Sequence, residues 1–252
     1  MDSQVSLAGL FELGTHRGNS RSKLNSRLKK RIFGFTNGLC VVDLVQTIDS
    51  LTSVSDFLYK LGQKRRQVII IGTSDHIKDL IPDFAKSFNI DGGMPFVNNR
   101  WLGGTLTNWS TVKKTLKTLE KLESYEQNEE FYKKLARNEQ LNIQKEKTKI
   151  TKFFAGLKNL KNNHPGAVLL LDAAVNPVTI KEAQAVKVPV IAFTNTSIKL
   201  LPDNLDTTVV CNVNSTNTVK FLISTLSESY NKGLSVGIEM KEEAQKETKV
   251  KE

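Results

Sequence analysis

Along this chain, short runs of purely apolar residues alternate with longer stretches in which apolar residues recur at every third or fourth position. Val68-Ile69-Ile70-Ile71-Gly72 is one such run, as expected of a strand in a parallel sheet covered on both faces. Leu39 to Leu44, Ala167 to Asp172, Val188 to Phe193 and Thr207 to Cys211 read the same way, and Met94 to Val97 fits a shorter strand. Helical spacings lie between them. Ile48, Leu51, Val54, Leu58 and Leu61 follow the first run at steps of three and four, and similar patterns cover about Asp75 to Phe88, Val178 to Val186 and Thr216 to Tyr230. Alternation of this kind predicts an open, doubly wound α/β sheet with Leu39 to Leu44 as its first strand.

The texture changes between Trp109 and Asn162. Strand signals vanish, Lys and Glu dominate, and the apolar positions narrow to a seam: Val112, Leu116, Leu119 and Leu122, then Ile143, Ile150, Phe153, Leu157 and Leu160. Two helices packed along such seams make an antiparallel, coiled-coil-like helical hairpin, with its break near Glu126-Gln127-Asn128. The predicted organisation is a discontinuous α/β sheet domain, residues 1–108 and 163–232, with the hairpin, 109–162, inserted in it. Residues 233–252 are expected to form a disordered tail, because from about Gly237 they mix Lys and Glu with few large apolar residues. The chain carries no internal repeat.

A formal charge of +10 and a pI near 9.5 favour a polyanionic partner. Cys40 and Cys211 sit far apart in apolar runs, which reads as buried free thiols in a reducing compartment. No apolar run is long enough to span a membrane. The opening Met1-Asp2-Ser3-Gln4 lacks the pattern of a secretory or transit peptide, so the protein is expected to stay where it is made.

Residues 96 to 109, Phe-Val-Asn-Asn-Arg-Trp-Leu-Gly-Gly-Thr-Leu-Thr-Asn-Trp, carry the strongest local signal. Gly103-Gly104 permits positive φ and close backbone approach at a strand-to-helix junction. Thr107 or Asn108 can cap the helix that follows, and amides at a helix start attract phosphate. Asn98, Asn99 and Arg100 supply donors suited to a phosphate, a sugar hydroxyl or a base edge. Trp101 and Trp109 fit equally well as buried core. The second signal is basic: Arg17, Arg21, Lys23, Arg27, Lys29, Lys30 and Arg31 fall in fifteen residues that contain no acid. Such a run can neutralise phosphates and release counterions, although a solvated loop would carry the same composition. Between Val112 and Lys161 there are 13 Lys or Arg against 7 acids. Most read as a solvated helix face, with Lys113 and Lys114 singled out because they adjoin the 96–109 run.

Motifs for catalysis are missing. Gly72-Thr73-Ser74-Asp75-His76 is neither a dinucleotide fingerprint nor a P-loop. No G-x-S-x-G elbow occurs, and none of His16, His76 and His164 has a Cys or His at metal-ligand spacing. Asp172, at a strand's carboxyl end, stands where α/β enzymes place ligands, and with His76 or His164 it defines the rival reading of an enzyme. A protein adaptor built on the hairpin is a third reading.

Arg100-Trp101-Leu102-Gly103-Gly104-Thr105-Leu106-Thr107-Asn108 resembles the signature of the bacterial-type small-subunit ribosomal protein two family. The resemblance runs from about Leu7 to Tyr230. It includes Leu10-Phe11-Glu12-Leu13-Gly14-Thr15-His16, Ile32-Phe33-Gly34, Asn37-Gly38, and Ile180-Lys181-Glu182-Ala183 followed by Val188-Pro189-Val190-Ile191-Ala192. It implies a flavodoxin-like doubly wound parallel sheet with a protruding helical hairpin, no cofactor and no catalysis. It further implies binding to small-subunit ribosomal RNA and neighbouring ribosomal proteins, ribosomal protein one among them, in the bacterial cytoplasm or in an organelle. His16, the seven N-terminal basic residues, Asn98, Asn99, Arg100, Asn108, Lys113 and Lys114 are the RNA-binding residues expected on this basis. Leu24-Asn25-Ser26-Arg27 stands where the family carries Trp-Asn-Pro-Lys. Thr194-Asn195-Thr196 and Asn212-Val213-Asn214-Ser215 replace its Asp-Thr-Asn and Pro-Gly-Asn-Asp, and the lost acids weaken any metal role there.

Overall fold

The computed structural model describes residues 5–127, 132, 135–161 and 164–250. After a short helix, α1 (Leu7–Glu12), three strands form a small antiparallel sheet: β1 (Arg17–Ser20), β2 (Ile32–Thr36) and β3 (Leu39–Val42), in the order β1-β3-β2. The run Leu39 to Leu44 therefore does not open the parallel sheet as expected. Asn37 and Gly38 have φ of 50° and 76°, and two successive positive-φ residues make the tight turn that folds β3 back antiparallel on β2. Asp43 then caps α2 (Leu44–Gln63), its carboxylate accepting the Val45 N–H at 3.0 Å.

The main sheet has five parallel strands: β4 (Val68–Ile71), β5 (Phe96–Val97), β6 (Ala167–Leu170), β7 (Val190–Thr194) and β8 (Thr208–Val210). They lie in the order β5-β4-β6-β7-β8, so the first two strands in sequence exchange places in space. This is the flavodoxin-like arrangement, and its switch point falls beside β4. Alternate side chains on each strand enter different cores. Val68, Ile70, Leu169, Ile191, Phe193 and Val209 face a cluster completed by α2, α3 (Ile81–Lys86) and the last helix. Ile69, Ile71, Val168, Leu170, Val190, Ala192 and Val210 face a second cluster that includes Trp101, Leu106, Leu157, Leu160, Ile180 and Ala183. The strands are apolar throughout because both their faces are buried.

The expected helix from Asp75 shrinks to a turn of 3-10 helix at Lys78–Leu80 and the six residues of α3. Pro82 explains this, since proline suits only the first turn of a helix. The seam region forms α4 (Trp109–Gln127) and α5 (Arg137–Phe154). Val112, Leu116, Leu119 and Leu122 are all buried, the two helices are in contact, and Lys147 pairs with Glu126. Lys158, beyond α5, holds Glu123 at 2.5 Å. Of the expected break at Glu126-Gln127-Asn128, the first two residues end α4; Asn128 lies outside the described residues, as do Asn162, Met1-Asp2-Ser3-Gln4 and the last two residues of the expected tail. After α6 (Pro177–Ala185) and β8, α7 runs from Thr216 to Val250. It does not end at Tyr230. Gly233 and Gly237 continue it against α2 so closely that a Cβ at either would overlap the carbonyl oxygen of Tyr59 or Gln63.

Candidate nucleic-acid interface

The 96–109 run leaves the carboxyl end of β5 and wraps around one side chain on α6. Glu182 is 9% exposed, and its carboxylate accepts three hydrogen bonds: from Trp101 Nε1–H at 3.2 Å, Gly104 N–H at 2.7 Å and Leu106 N–H at 3.2 Å. A carboxylate is the acceptor best able to satisfy converging buried donors. Gly104 has φ of +92°, the conformation expected of the Gly-Gly pair. Trp101 is buried in the second core, where it packs as core; Trp109 is partly buried against the same cluster. Asn108 stands at the start of α4. Its carbonyl accepts the Thr111 N–H at 3.1 Å, and its Oδ1 accepts the hydroxyls of Ser110 and Thr111.

With Trp101 turned inward, Arg100 is turned out and exposed. It borders an open groove of about 610 Å³ beyond the carboxyl ends of β4, β5 and β6, shared with Thr73, Asn99, Gly103 and Asn176. Crevices at this switch point are where open α/β sheets take ligands. Asn98 and Asn99 are partly exposed, and the Asn99 amide ties the run to α5 by donating to the Lys152 carbonyl at 2.8 Å. Lys113 and Lys114 are exposed on the second turn of α4.

The basic N-terminal segment is held at the same end of the sheet but toward the opposite edge. Residues 13 to 25 dock on the loops that leave β7 and β8. The Asn19 N–H donates to Thr196 Oγ1 at 2.9 Å and its amide to Ser197 Oγ at 2.6 Å, while Asn25 donates through its side chain to the Ile198 carbonyl at 2.7 Å. Asn212 donates to the Thr15 and Gly14 carbonyls at 3.0 and 3.1 Å. The two neutral loops that replace the family's acidic ones are thus the seat of this segment. Three strand spacings, roughly 14 Å, separate β7 from β5 at the other end of the order. The structure does not bring the two groups of basic residues into one cluster.

Arg17, Arg21, Lys23, Arg27, Lys29 and Lys30 are exposed. Arg31 is not one of them. Its guanidinium donates to Ser50 Oγ, to the Gln46 carbonyl at 3.5 Å and to the Leu205 carbonyl at 3.4 Å, and so clamps the segment to α2 and the approach to β8. His16 stacks on Phe11 with ring centroids 4.2 Å apart. Burial, then the neighbouring Arg17 charge, lowers its pKa from 6.5, so it is neutral at pH 7. The hairpin of β2 and β3 exposes Phe33 and Phe35, and the Arg21 guanidinium lies over the Phe35 ring at 4.6 Å.

Two of the side chains of the rival enzyme reading, Asp172 and His76, are engaged in holding loops. Asp172 is 5% exposed; its carboxylate accepts the Ser74 hydroxyl at 2.8 Å and the Ala174 N–H at 3.2 Å. His76 Nε2 lies 2.8 Å from the Val213 carbonyl, and the His164 carbonyl accepts from Arg66 at 3.1 Å. Among the described residues, no three His, Cys, Asp or Glu side chains gather to hold a metal ion. No helix there is long and apolar enough to cross a membrane.

A five-stranded parallel sheet flanked by helices, with two exposed basic stretches at one end, defines an α/β protein of flavodoxin-like fold. Comparison with known proteins gives the family. The family model described as ribosomal protein S2 matches residues 10–233. The small ribosomal subunit protein uS2 of Petrotoga mobilis is 32% identical over 237 residues, which covers 94% of this chain and 80% of that protein. That of Amoebophilus asiaticus is 32% identical over 227 residues, covering 90% and 70%. The chain belongs to the ribosomal protein S2 family.

Two features of the site escaped the sequence reading. Glu182 stands on another helix, 76 residues or more from its partners, and nothing local marks it as the acceptor for the signature loop. The aromatic hairpin did have a signal, the Asn37-Gly38 dipeptide between apolar runs.

Proposed function

We propose that this protein is a structural constituent of the bacterial small ribosomal subunit. It binds small-subunit ribosomal RNA through Arg17, Arg21, Lys23, Arg27, Lys29 and Lys30 and through the exposed end of the signature at Arg100, with Lys113 and Lys114 beside it. Neighbouring small-subunit proteins, ribosomal protein one among them, are its protein partners. The observation that carries this reading is the division of labour within the signature. Trp101 and the loop amides are consumed in a buried anchor on Glu182, while Arg100 is presented to solvent on that anchor. An exposed guanidinium on an anchored loop suits a phosphate or a planar base. The mechanism is charge neutralisation and shape fit, with no turnover. His16 contributes a neutral stacking or hydrogen-bonding surface. Arg31 contributes by fixing the segment.

Arg100→Ala tests this. The variant should melt like the parent yet cofractionate poorly with small subunits. Each phosphate neutralised should add about −0.7 to −0.9 to the slope of log affinity against log salt. A flat salt dependence of binding to small-subunit RNA, or normal assembly of Arg100→Ala, would overturn the respective part of the reading.

A further inference from the structure

The hairpin of β2 and β3 carries a surface that charge neutralisation alone does not explain. Phe33 is 81% exposed, Phe35 47% and Leu39 50%. Phe33 sits where the register slips between the Ile32–Val42 and Gly34–Val41 pairs. A bulge of this kind re-aims a side chain, and here it directs an aromatic ring to solvent. Phe33 and Phe35 border an open groove of about 440 Å³ with Arg21 and Lys29. Both charged residues on that groove are cations, and the fifteen residues that supply them contain no acid. This one-sided charge fits a partner with a regularly repeated negative charge, as a nucleic-acid backbone has. Aromatic faces beside cations are the means by which single-stranded nucleic acid is held, with a base stacked on the ring and its phosphates on the cations.

We infer that this groove takes an unpaired nucleotide of RNA, its base stacked on Phe33 and its flanking phosphates on Lys29 and Arg21. The inference rests on the RNA-binding reading above and adds that the N-terminal segment recognises a single-stranded element rather than a duplex alone. Arg21 is already ordered over the Phe35 ring, so Phe35 acts as its support and Phe33 is the bare platform.

The test uses the full chain and two probes, a short single-stranded oligoadenylate and an RNA duplex of equal length, with affinity read by fluorescence anisotropy at fixed salt. Phe33 is so exposed that its replacement leaves the fold intact. Phe33→Ala should lower affinity for the single strand roughly five- to 150-fold, the range for loss of one base–aromatic stack, and leave duplex binding unchanged. Phe33→Trp should restore single-strand binding, with indole emission quenched by the oligonucleotide beyond any change in Trp101 and Trp109. Phe33→Leu should not restore it. Equal losses on both probes, no loss on either, or full binding by Phe33→Leu would overturn the proposal, the last because an apolar contact rather than a base stack would then hold the strand. If the parent chain fails to bind even intact small-subunit RNA, the underlying reading fails. If it binds that RNA and Phe33→Ala binds the oligoadenylate equally well, this inference alone fails.

Discussion

Glu182→Ala should be among the most damaging single changes outside the sheet. The carboxylate accepts from Trp101, Gly104 and Leu106 at 2.7 to 3.2 Å, and Trp101 and Leu106 are 6% and 0% exposed. Its removal strands two buried donors. Each unsatisfied buried donor costs about 1–3 kcal/mol, and the truncated side chain leaves a void between α6 and the loop. Gly104 is less buried and can turn to water. The sum is about 3–5 kcal/mol, which lowers the melting temperature of a chain this size by roughly 10 °C. Glu182→Gln keeps the shape. Its amide oxygen can still accept from Trp101 and Gly104, but its NH₂ then meets the Leu106 N–H donor to donor, so it should fall about midway. Circular-dichroism melts give the stabilities, and Trp101 emission reports whether the indole has lost its acceptor. Both variants should also cofractionate poorly with small subunits, whereas Arg100→Ala should lose only that property. Melting of Glu182→Ala within about 2 °C of the parent would refute the reasoning, because solvent or another acceptor would then be replacing the carboxylate.

Gly233→Ala should reverse the usual sign. Alanine stabilises an ordinary helix position by about 1 kcal/mol, but here its Cβ overlaps the Tyr59 carbonyl, so melts should show a loss of about 1–3 kcal/mol from overpacking. We predict that residues 113–152 can be replaced by a flexible linker with cooperative unfolding retained. A deletion reaching Lys161 should unfold the domain, because Leu157 and Leu160 belong to the second core and Gln67 bonds the backbone of Asn159 and Lys161. Burial pushes the Cys211 thiol up from 9.0 to about 12. The folded state thus favours the protonated thiol. The associated stability is fully present below pH 9 and is lost as pH rises from 9 toward 12, and iodoacetamide at pH 8 should label Cys211 only in unfolded protein.

The parallel sheet was legible because its strands are buried on both faces and so read as unbroken apolar runs. Val68 to Ile71 and Ala167 to Leu170 need no partner to be recognised. Leu39 to Val42 has the same apolar texture, yet its pairing is antiparallel, and that is fixed by Asn37 and Gly38 rather than by the strand. Arg31 and Arg27 look alike in sequence. Only the approach of Ser50 and Leu205, distant in the chain, makes one a clamp and leaves the other in solvent. Arg100 lies on the exposed side of the signature, as its charge suggests, whereas the anchor could not be read from the sequence, because hydrogen bonds to Glu182 span 76 to 81 residues. For residues 233–252, many Lys and Glu and few large apolar residues suggested an unstructured tail. The two glycines that let α7 lie against α2 contribute nothing to hydropathy and carry that contact by their lack of a side chain.

The docking of Asn19 and Asn25 on residues 196–198, and of α2 on α7, has a consequence for synthesis. The basic segment is made first, but its seat on the loop after β7 is made more than 170 residues later. At a translation rate of about 5–20 residues per second, the segment spends on the order of ten seconds or more as an unshaped polycation. Until Gly233 and Gly237 emerge, α2 also lacks the helix against which it closes. On the RNA-binding function proposed above, an interrupted chain would attract RNA by charge while presenting neither the finished hairpin nor the anchored signature loop. Discrimination between a specific site and any other polyanion would then arise late, as a property of the finished chain.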